Sequence, residues 1–146
     1  MQRGINRWRQ NNEYGGDYLP VGPPGSVLDK NKMHDHWITD IDAAFPLVFD
    51  VHENTPKSGG GVTPALPGHP TDRPISHWFA VRGYSVAGYY DNKDWVHYVD
   101  SAYGGQGFTV YPNQPWRNYT LTQGNQRVSF DNVYEMMKVR GYGYVW

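Results

Sequence analysis

His77 and Asp100 are the two residues of this chain whose types and spacing best suit acid–base chemistry. His77 opens a run of β-forming residues at about 77 to 84, and Asp100 closes a second run at 95 to 100. If the two runs pair as antiparallel strands, the first residue of one lies near the last residue of the other. A carboxylate beside an imidazole fixes its tautomer and stabilises the imidazolium, as a general base requires. The sequence therefore predicts a His77–Asp100 pair at the rim of a sheet.

A purely structural role for the same two residues is the competing interpretation. His77 could be a partly buried side chain bonded to a backbone carbonyl, and Asp100 a turn former before Ser101. On a regular strand, His77 shares its face with Phe79, Val81 and Gly83. The opposite face carries Trp78, Ala80, Arg82 and Tyr84. The residues alone leave both roles open.

The segment before this pair predicts a helix, a strand and a long loop. Apolar residues from 34 to 45 follow the spacing of an amphipathic helix, and Pro46 ends it by pushing the preceding residue out of the α region. The run from 46 to 52 is rich in β-forming residues. Residues 53 to 75 contain three consecutive glycines and five prolines, and a loop of this length is either mobile or functional.

The segment after the pair closes the domain with mixed elements. A strand is expected near 107 to 111, and Ser129 is suited to cap a helix over about 130 to 139. Residues 142 to 146 alternate in polarity and size as a last strand does. Helices, then an antiparallel sheet, then a closing helix and strand predict an α+β fold within one domain, residues 1 to 146.

The composition narrows the function classes. The formal charge is −1 and the 13 basic residues are scattered, so neither nucleic acid nor an anionic membrane is expected as a partner. No apolar run reaches membrane-spanning length, and no signal segment opens the chain. The absence of cysteine excludes disulfides, thiolate metal sites and a thiol nucleophile within these residues. Abundant aromatic residues, glycine and proline favour a strand-and-loop protein of the kind that bacteria export, so we expect an extracellular or cell-envelope setting.

Further histidines and acidic residues raise the question of a metal site. His34 and His36 are two residues apart, with Asp35 between them, and on a helix they point in different directions. The other candidate ligands are His52, Glu53 and His69. A polar first turn, with Asp35 favoured by the helix dipole, explains the first group more simply. We therefore predict no metal and no other cofactor.

Aromatic residues offer a binding surface as an alternative. The candidates for stacking platforms are Trp95, Tyr98, Tyr103, Tyr111, Trp116, Tyr119, Tyr142, Tyr144 and Trp146. Most of them alternate along strands, which sheet packing also requires, so any single one fits a core equally well. Their number supports binding of glycan or peptide, or assembly.

The order of these features resembles the papain-like cysteine peptidases related to the bacteriocin-processing peptidases, which cut after a double glycine, and their stand-alone secreted relatives. The resemblance is carried by residues 76 to 84, which begin Ser-His-Trp-Phe, and by 95 to 100, which end in Asp. Residues 4 to 8 (Gly-Ile-Asn-Arg-Trp) and the helix at 34 to 45 with its following strand fit in order. The resemblance implies that His77 is the general base and Asp100 its orienting acid.

The resemblance also implies parts that this sequence lacks. In that family the nucleophilic cysteine begins a helix upstream of the segment matched at 4 to 8, and a preceding glutamine donates to the oxyanion. Neither lies within these residues, and Ser101 follows Asp100 where many relatives have proline. The chain thus corresponds to a partial domain, the antiparallel-sheet lobe with flanking helices, without the N-terminal cysteine-bearing region.

Two functions fit a papain-like lobe without a nucleophile. The His77–Asp100 pair could serve a peptidase whose cysteine is supplied by another chain. Alternatively, the lobe is a non-catalytic module for self-association or for binding peptide or glycan. In both cases the sheet face that normally contacts the cysteine-bearing helix would be uncovered, and an apolar surface of several hundred Å² marks an interface. We therefore expect a second polypeptide or self-association through that face.

Overall fold

The computed structural model of the protein describes residues 20–21, 29–88, 92–100, 125–140 and 144–145. These residues form an α+β fold, as predicted. The strands are β1 (Pro20–Val21), β2 (Leu47–Glu53), β3 (Ile75–Ser85), β4 (Trp95–Val99), β5 (Asn125–Ser129) and β6 (Tyr144–Val145). The helices are α1 (Lys30–Asp42) and α2 (Phe130–Arg140). Neither of these two described helices is long and apolar enough to cross a membrane.

The strands form one antiparallel sheet in the order β1-β6-β2-β3-β4-β5. Its centre is the long strand β3, which pairs with β2 on one side and β4 on the other. Val51 of β2 lies opposite His77, and Val99 of β4 lies opposite Ala80. The start of β3 and the ends of β2 and β4 therefore meet at one end of the sheet.

Both helices contribute to a core on one face of this sheet. Alternate residues of the strands point to that face because successive side chains in a strand alternate. Trp37 of α1 stacks on Phe130 of α2 with ring centroids 5.0 Å apart, and Phe79 contacts Tyr98 at 4.6 Å. The buried core comprises Met33, Trp37, Leu47, Phe49, Val51, Leu66, Phe79, Val81, Val96, Tyr98, Val128, Phe130, Val133, Met136 and Met137.

Helix α1 starts earlier than its apolar stripe predicts. It begins at Lys30 rather than at 34, because Asp29 caps it and accepts a hydrogen bond from the backbone N–H of Lys32 at 3.0 Å. An aspartate at this position satisfies one of the free N–H groups of the first turn. The polar residues before the stripe therefore belong to the helix.

The same helix also ends earlier, at Asp42 rather than at 45. Ala44 adopts a left-handed conformation with φ of 63°. The backbone N–H of Ala44 then donates to the carbonyl oxygen of Ile41 at 3.0 Å, and the backbone N–H of Phe45 donates to the carbonyl oxygen of Asp40 at 2.8 Å. This pair of bonds is a Schellman motif, which here closes the helix before the following proline is reached.

A β-bulge in β3 changes which face the end of that strand presents. Val81 pairs with Tyr98, but Gly83 pairs with His97, so Arg82 is an extra residue in the ladder. Tyr84 consequently reaches the core face, where its ring contacts that of Trp37 with centroids 5.7 Å apart. The regular alternation that assigned Tyr84 to the opposite face is wrong at this position.

Helix α2 agrees with its prediction. The hydroxyl of Ser129 accepts a long hydrogen bond, 3.4 Å, from the backbone N–H of Asn132. The two methionines of the helix, Met136 and Met137, are fully buried. The last strand is described at Tyr144–Val145. The strand expected at 107 to 111 and the segment at 4 to 8 lie outside the described residues.

Candidate active site

The structure brings His77 and Asp100 into direct contact. Nε2 of His77 lies 3.1 Å from Oδ1 of Asp100, and both side chains are buried. The strand pairing explains the contact. Because Val99 pairs with Ala80, Asp100 falls opposite Phe79, on the face that His77 also occupies. The two residues are therefore neighbours, as the antiparallel register predicts.

The direction of this hydrogen bond fixes the chemistry of the His77 ring. An ionised carboxylate only accepts hydrogen bonds, so Nε2 of His77 carries the proton and donates it to Asp100. In the neutral ring, Nδ1 then holds the lone pair. Among the described residues, none makes a hydrogen bond to that Nδ1. His77 is thus arranged to take up a proton at Nδ1 while Asp100 holds the other side of the ring.

A second histidine, His69, binds the same carboxylate. Its Nε2 lies 2.9 Å from Oδ2 of Asp100, so each oxygen of Asp100 faces a different histidine. The rings of His69 and His77 are 5.0 Å apart and meet edge to face. Only 7% of the surface of each histidine is exposed, which places the whole contact away from bulk water.

Glu53 holds the other nitrogen of His69. Its Oε1 lies 2.8 Å from Nδ1 of His69, and its Oε2 accepts the backbone N–H of Leu66 at 2.8 Å. Burial by itself lowers the pKa of His69, but hydrogen bonds to Asp100 and Glu53 and the charges of both carboxylates raise that pKa to about 9. His69 is therefore an imidazolium at neutral pH and donates from both nitrogens.

The loop that carries His69 is fixed to the sheet by hydrogen bonds. The hydroxyl of Thr63 donates to the carbonyl of His52 at 2.6 Å and accepts the N–H of Thr55 at 2.9 Å. The side-chain amide of Asn54 donates to the carbonyl of Pro70 at 2.7 Å. These bonds tie the middle of the loop, at Thr63, and its later part, at Pro70, to the end of β2 and the residues that follow it. The loop is thus an ordered element that delivers one histidine to the site.

The sequence presents Glu53 and His69 only as candidate metal ligands, and no sequence feature connects His69 with Asp100. The sequence does indicate that Glu53 is buried. Glu53 continues the alternation of Leu47, Phe49 and Val51, and so falls on the buried face of β2. A buried carboxylate requires a cationic or hydrogen-bonding partner. The sequence does not show that this partner comes from position 69.

The predicted absence of a metal site can be compared with the geometry. Ligand atoms of His69, His77 and Asp100 lie within 4.8 Å of one another, and these three form the metal-type cluster found among the described residues. Two imidazoles and a carboxylate would suit Zn²⁺. In the hydrogen-bonded arrangement, the same Nε2 of His69 that would bind the ion faces Oδ2 of Asp100 at 2.9 Å and donates a proton to it. A metal would have to displace that proton, whereas the hydrogen-bonded form already neutralises one of the two carboxylates.

The earlier metal candidates on α1 do not converge. Nε2 of His34 bonds to Oδ2 of Asp94 at 3.0 Å, and its ring packs edge to face against Trp37 and Phe130. Neither His34 nor His36 belongs to a metal-type cluster among the described residues. His34 therefore joins α1 to the start of β4.

Two of the aromatic candidates for stacking lie in the described part of the chain with their side chains. Tyr98 is fully buried against Phe79 and belongs to the core. Trp95 is half-buried, and the guanidinium of Arg127 lies 4.5 Å from its ring centroid. Tyr144 is described only in its backbone. The other candidates, at 103, 111, 116, 119, 142 and 146, lie outside the described residues.

Because the comparisons with known proteins found no match, a function for this chain is argued from the geometry of the site. No protein-family model, no curated protein and no solved structure gives a significant match to this chain.

Proposed function

We propose that this chain is the sheet-bearing part of a papain-like cysteine peptidase, with His77 as general base and Asp100 as the group that orients it. One observation carries the proposal. His77 donates from Nε2 to Asp100 and keeps Nδ1 for a proton from elsewhere, which is the arrangement that a nucleophile's base requires. The resemblance of the sequence to that family supports the same assignment of roles.

The reaction follows from the roles of the two residues. Nδ1 of His77 takes the thiol proton of a cysteine, and the thiolate attacks the carbonyl carbon of the scissile peptide. The imidazolium then gives this proton to the leaving amine as the C–N bond breaks. Water hydrolyses the resulting thioester, again with His77 as the base. Asp100 accepts the Nε2–H of His77 in both the neutral and the protonated ring, so the ring exchanges protons only at Nδ1.

The charges around the pair favour this proton transfer. With His69 protonated between Glu53 and Asp100, the three groups carry one net negative charge in a buried environment. A proton on His77 neutralises that charge. Stabilisation of a charge that develops during the reaction by groups already in place is a large source of catalysis in enclosed sites.

The nucleophile must come from outside these residues, because none of the 146 is cysteine. In our proposal another chain supplies the thiol and covers part of the sheet surface near the site. Partner binding or self-association through that surface, and an extracellular or envelope setting, belong to the same proposal. The substrate class is a peptide or protein.

The first experiment is native mass spectrometry of the protein as isolated, followed by labelling of the sample with a thiol-alkylating probe. We expect a second chain that contains the labelled cysteine, and peptide cleavage by the assembly. Replacing His77 by alanine should lower the rate by at least about 100-fold, since general-base catalysis contributes about 10²–10⁴-fold. His97→Ala is the matched control, because His97 bonds to Ser85 and does not contact Asp100.

The contrary result identifies the alternative function. If only copies of this chain are found, no thiol is labelled and His77→Ala leaves assembly unchanged, the protein is a non-catalytic module for self-association or for binding peptide or glycan. If an assembly cleaves peptide equally well with His77→Ala, the assignment of the base is wrong.

A further inference from the structure

We propose that His69, held by Glu53, is a positioning residue of this site, so that Glu53, His69, Asp100 and His77 form one continuous relay. This inference rests on the proposed function, in which Asp100 orients the base. It goes beyond the predicted pair because it adds two residues from different elements and gives each a distinct task. His69 holds the orienting carboxylate, and Glu53 holds His69.

The geometry of Asp100 carries the first step. Its two oxygens receive hydrogen bonds from two histidines, at 3.1 Å from His77 and 2.9 Å from His69. Two donors on opposite oxygens define the plane of a carboxylate, whereas one donor leaves it able to rotate about its χ2 torsion. The bond from His69 therefore sets the direction in which Oδ1 faces His77.

The geometry of His69 carries the second step. An imidazole that bonds carboxylates through both nitrogens is fixed in position and in ring orientation. Glu53 provides the second bond at 2.8 Å and simultaneously accepts the backbone N–H of Leu66. One carboxylate thus fastens both the histidine and the loop that carries it to the end of β2.

The titratable groups described around His69 lie on β2, on β3 and directly after β4. Glu53 lies at the end of β2, His77 is on β3, and Asp100 follows β4. Of the other charged residues of the loop, Asp72 and Arg73 bond to each other, and Lys57 lies 3.7 Å from Glu135 of α2. Two carboxylates around one imidazole favour its protonated form, because each charge-assisted bond requires a proton on the ring.

The test is ¹⁵N NMR of histidine-labelled protein in a pH titration, which needs no catalytic activity. We expect His69 to keep both ring protons at pH values where free histidine has lost one. Wherever the His77 ring is neutral, its nitrogens should report the tautomer with the proton on Nε2. His36 and His97 serve as internal references, because burial and neighbouring cations lower the pKa of each.

Two variants separate positioning from general support of the fold. Glu53→Gln keeps an acceptor for Leu66 but removes the charge, so His69 should release a proton at lower pH and the ring signals of His77 should shift. His69→Gln should shift the His77 signals with the far-ultraviolet circular dichroism unchanged. Glu135→Gln is the matched control, because Glu135 makes a surface contact 3.7 Å from Lys57. It should change neither the titration of His69 nor the ring signals of His77.

Three results would overturn the relay. The first is a wild-type His69 that titrates like a free histidine, which can be read even if a variant fails to fold. The second is a folded His69→Gln variant with unaltered His77 signals. The third is stoichiometric binding of Zn²⁺ at neutral pH that broadens the signals of both histidines, since a metal site would then explain the cluster.

The kinetic readout keeps this inference separate from the proposed function. In an active assembly, His69→Gln should lower kcat by about 10-fold to 100-fold with KM unchanged, which is part of the 10²–10⁴-fold contribution of a general base. A protein without peptidase activity but with His69 charged and coupled to His77 would refute the proposed function alone. An active assembly in which His69→Gln has wild-type kcat would refute the relay alone.

Discussion

Glu53 accepts a hydrogen bond from His69 at 2.8 Å, and both side chains are almost completely buried. An ion pair in such surroundings depends on both partners, because each charge alone would be costly to keep away from water. Glu53 is the last residue of β2 and His69 belongs to the loop that follows, so the contact fixes the connection between β2 and β3 against the sheet. The stability of the fold and the geometry of the candidate site therefore depend on the same bond.

Replacing Glu53 by glutamine should destabilise the protein by about 3 kcal/mol, because it leaves the His69–Asp100 contact without its second carboxylate. Urea unfolding monitored by tryptophan fluorescence measures this change. Glu135→Gln is the control. Its partner Lys57 is 3.7 Å away at the surface, and such pairs contribute at most about 1 kcal/mol. Equal losses in the two variants would contradict the assigned importance of the buried contact.

The stability of the protein should fall as the pH rises from about 6.5 to about 9. Hydrogen bonds and the charges of Asp100 and Glu53 outweigh burial and raise the pKa of His69 from 6.5 to about 9 in the folded state. Because the pKa of His69 is higher in the folded state, protonation of His69 stabilises the fold. This stabilisation is complete at pH values below the unfolded-state pKa of 6.5, and it is lost as the pH rises through the folded-state pKa of about 9. The full effect is up to about 3 kcal/mol.

Denaturant unfolding at a series of pH values measures this slope, and His69→Gln provides the control. The variant should be less stable at neutral pH and should lack the decline toward pH 9. A wild-type protein as stable at pH 9 as at pH 6.5 would show that His69 is not held as an imidazolium.

The strand pairing at the site could be predicted from sequence, whereas the second histidine could not. Alternation in β3 and β4 and the turn between them are local features, so the contact of His77 with Asp100 follows from an antiparallel register. His69 reaches the same carboxylate through a long loop. Its path depends on hydrogen bonds such as those of Thr63, which have no periodic signature in the sequence.

For the helices and the strand faces as well, the periodic pattern predicts the element, but local features decide its ends and its side-chain directions. The apolar stripe predicts α1, but its ends are set by the cap at Asp29 and the left-handed Ala44. The face of Tyr84 is mispredicted because a single extra residue, Arg82, inverts the alternation after it. Bulges and caps of this kind depend on one or two residues, and the periodic pattern of the sequence does not indicate where they occur.

Replacing Ala44 by glycine should stabilise the protein by about 0.5 kcal/mol. Ala44 has φ of 63° at the end of α1, where an L-residue with a Cβ is strained by roughly 1–2 kcal/mol. Part of this gain is offset because glycine has more freedom in the unfolded chain. Thermal unfolding measures the difference. Ala43→Gly is the control and should be destabilising, because Ala43 has a negative φ of −82°; a loss of stability in Ala44→Gly would argue against strain at this position.

Replacing Thr63 by valine should weaken the protein and also disturb the site from a distance. Thr63 is buried, and its hydroxyl donates to the carbonyl of His52 and accepts the N–H of Thr55. Valine has nearly the same shape but leaves both groups without this partner, at a cost of about 1–3 kcal/mol. Because the same bonds hold the loop, the ring proton of His69 should exchange faster with solvent.

Thr39→Val on the exposed side of α1 is the matched control for that change, since it makes the same substitution away from the loop. It should alter neither stability nor the NMR signals of His69. If Thr63→Val lowers stability but leaves proton exchange at His69 unchanged, then Glu53 and Asp100 hold the histidine without a contribution from Thr63. In that case the hydrogen bonds at the base of the loop stabilise the fold without positioning the site.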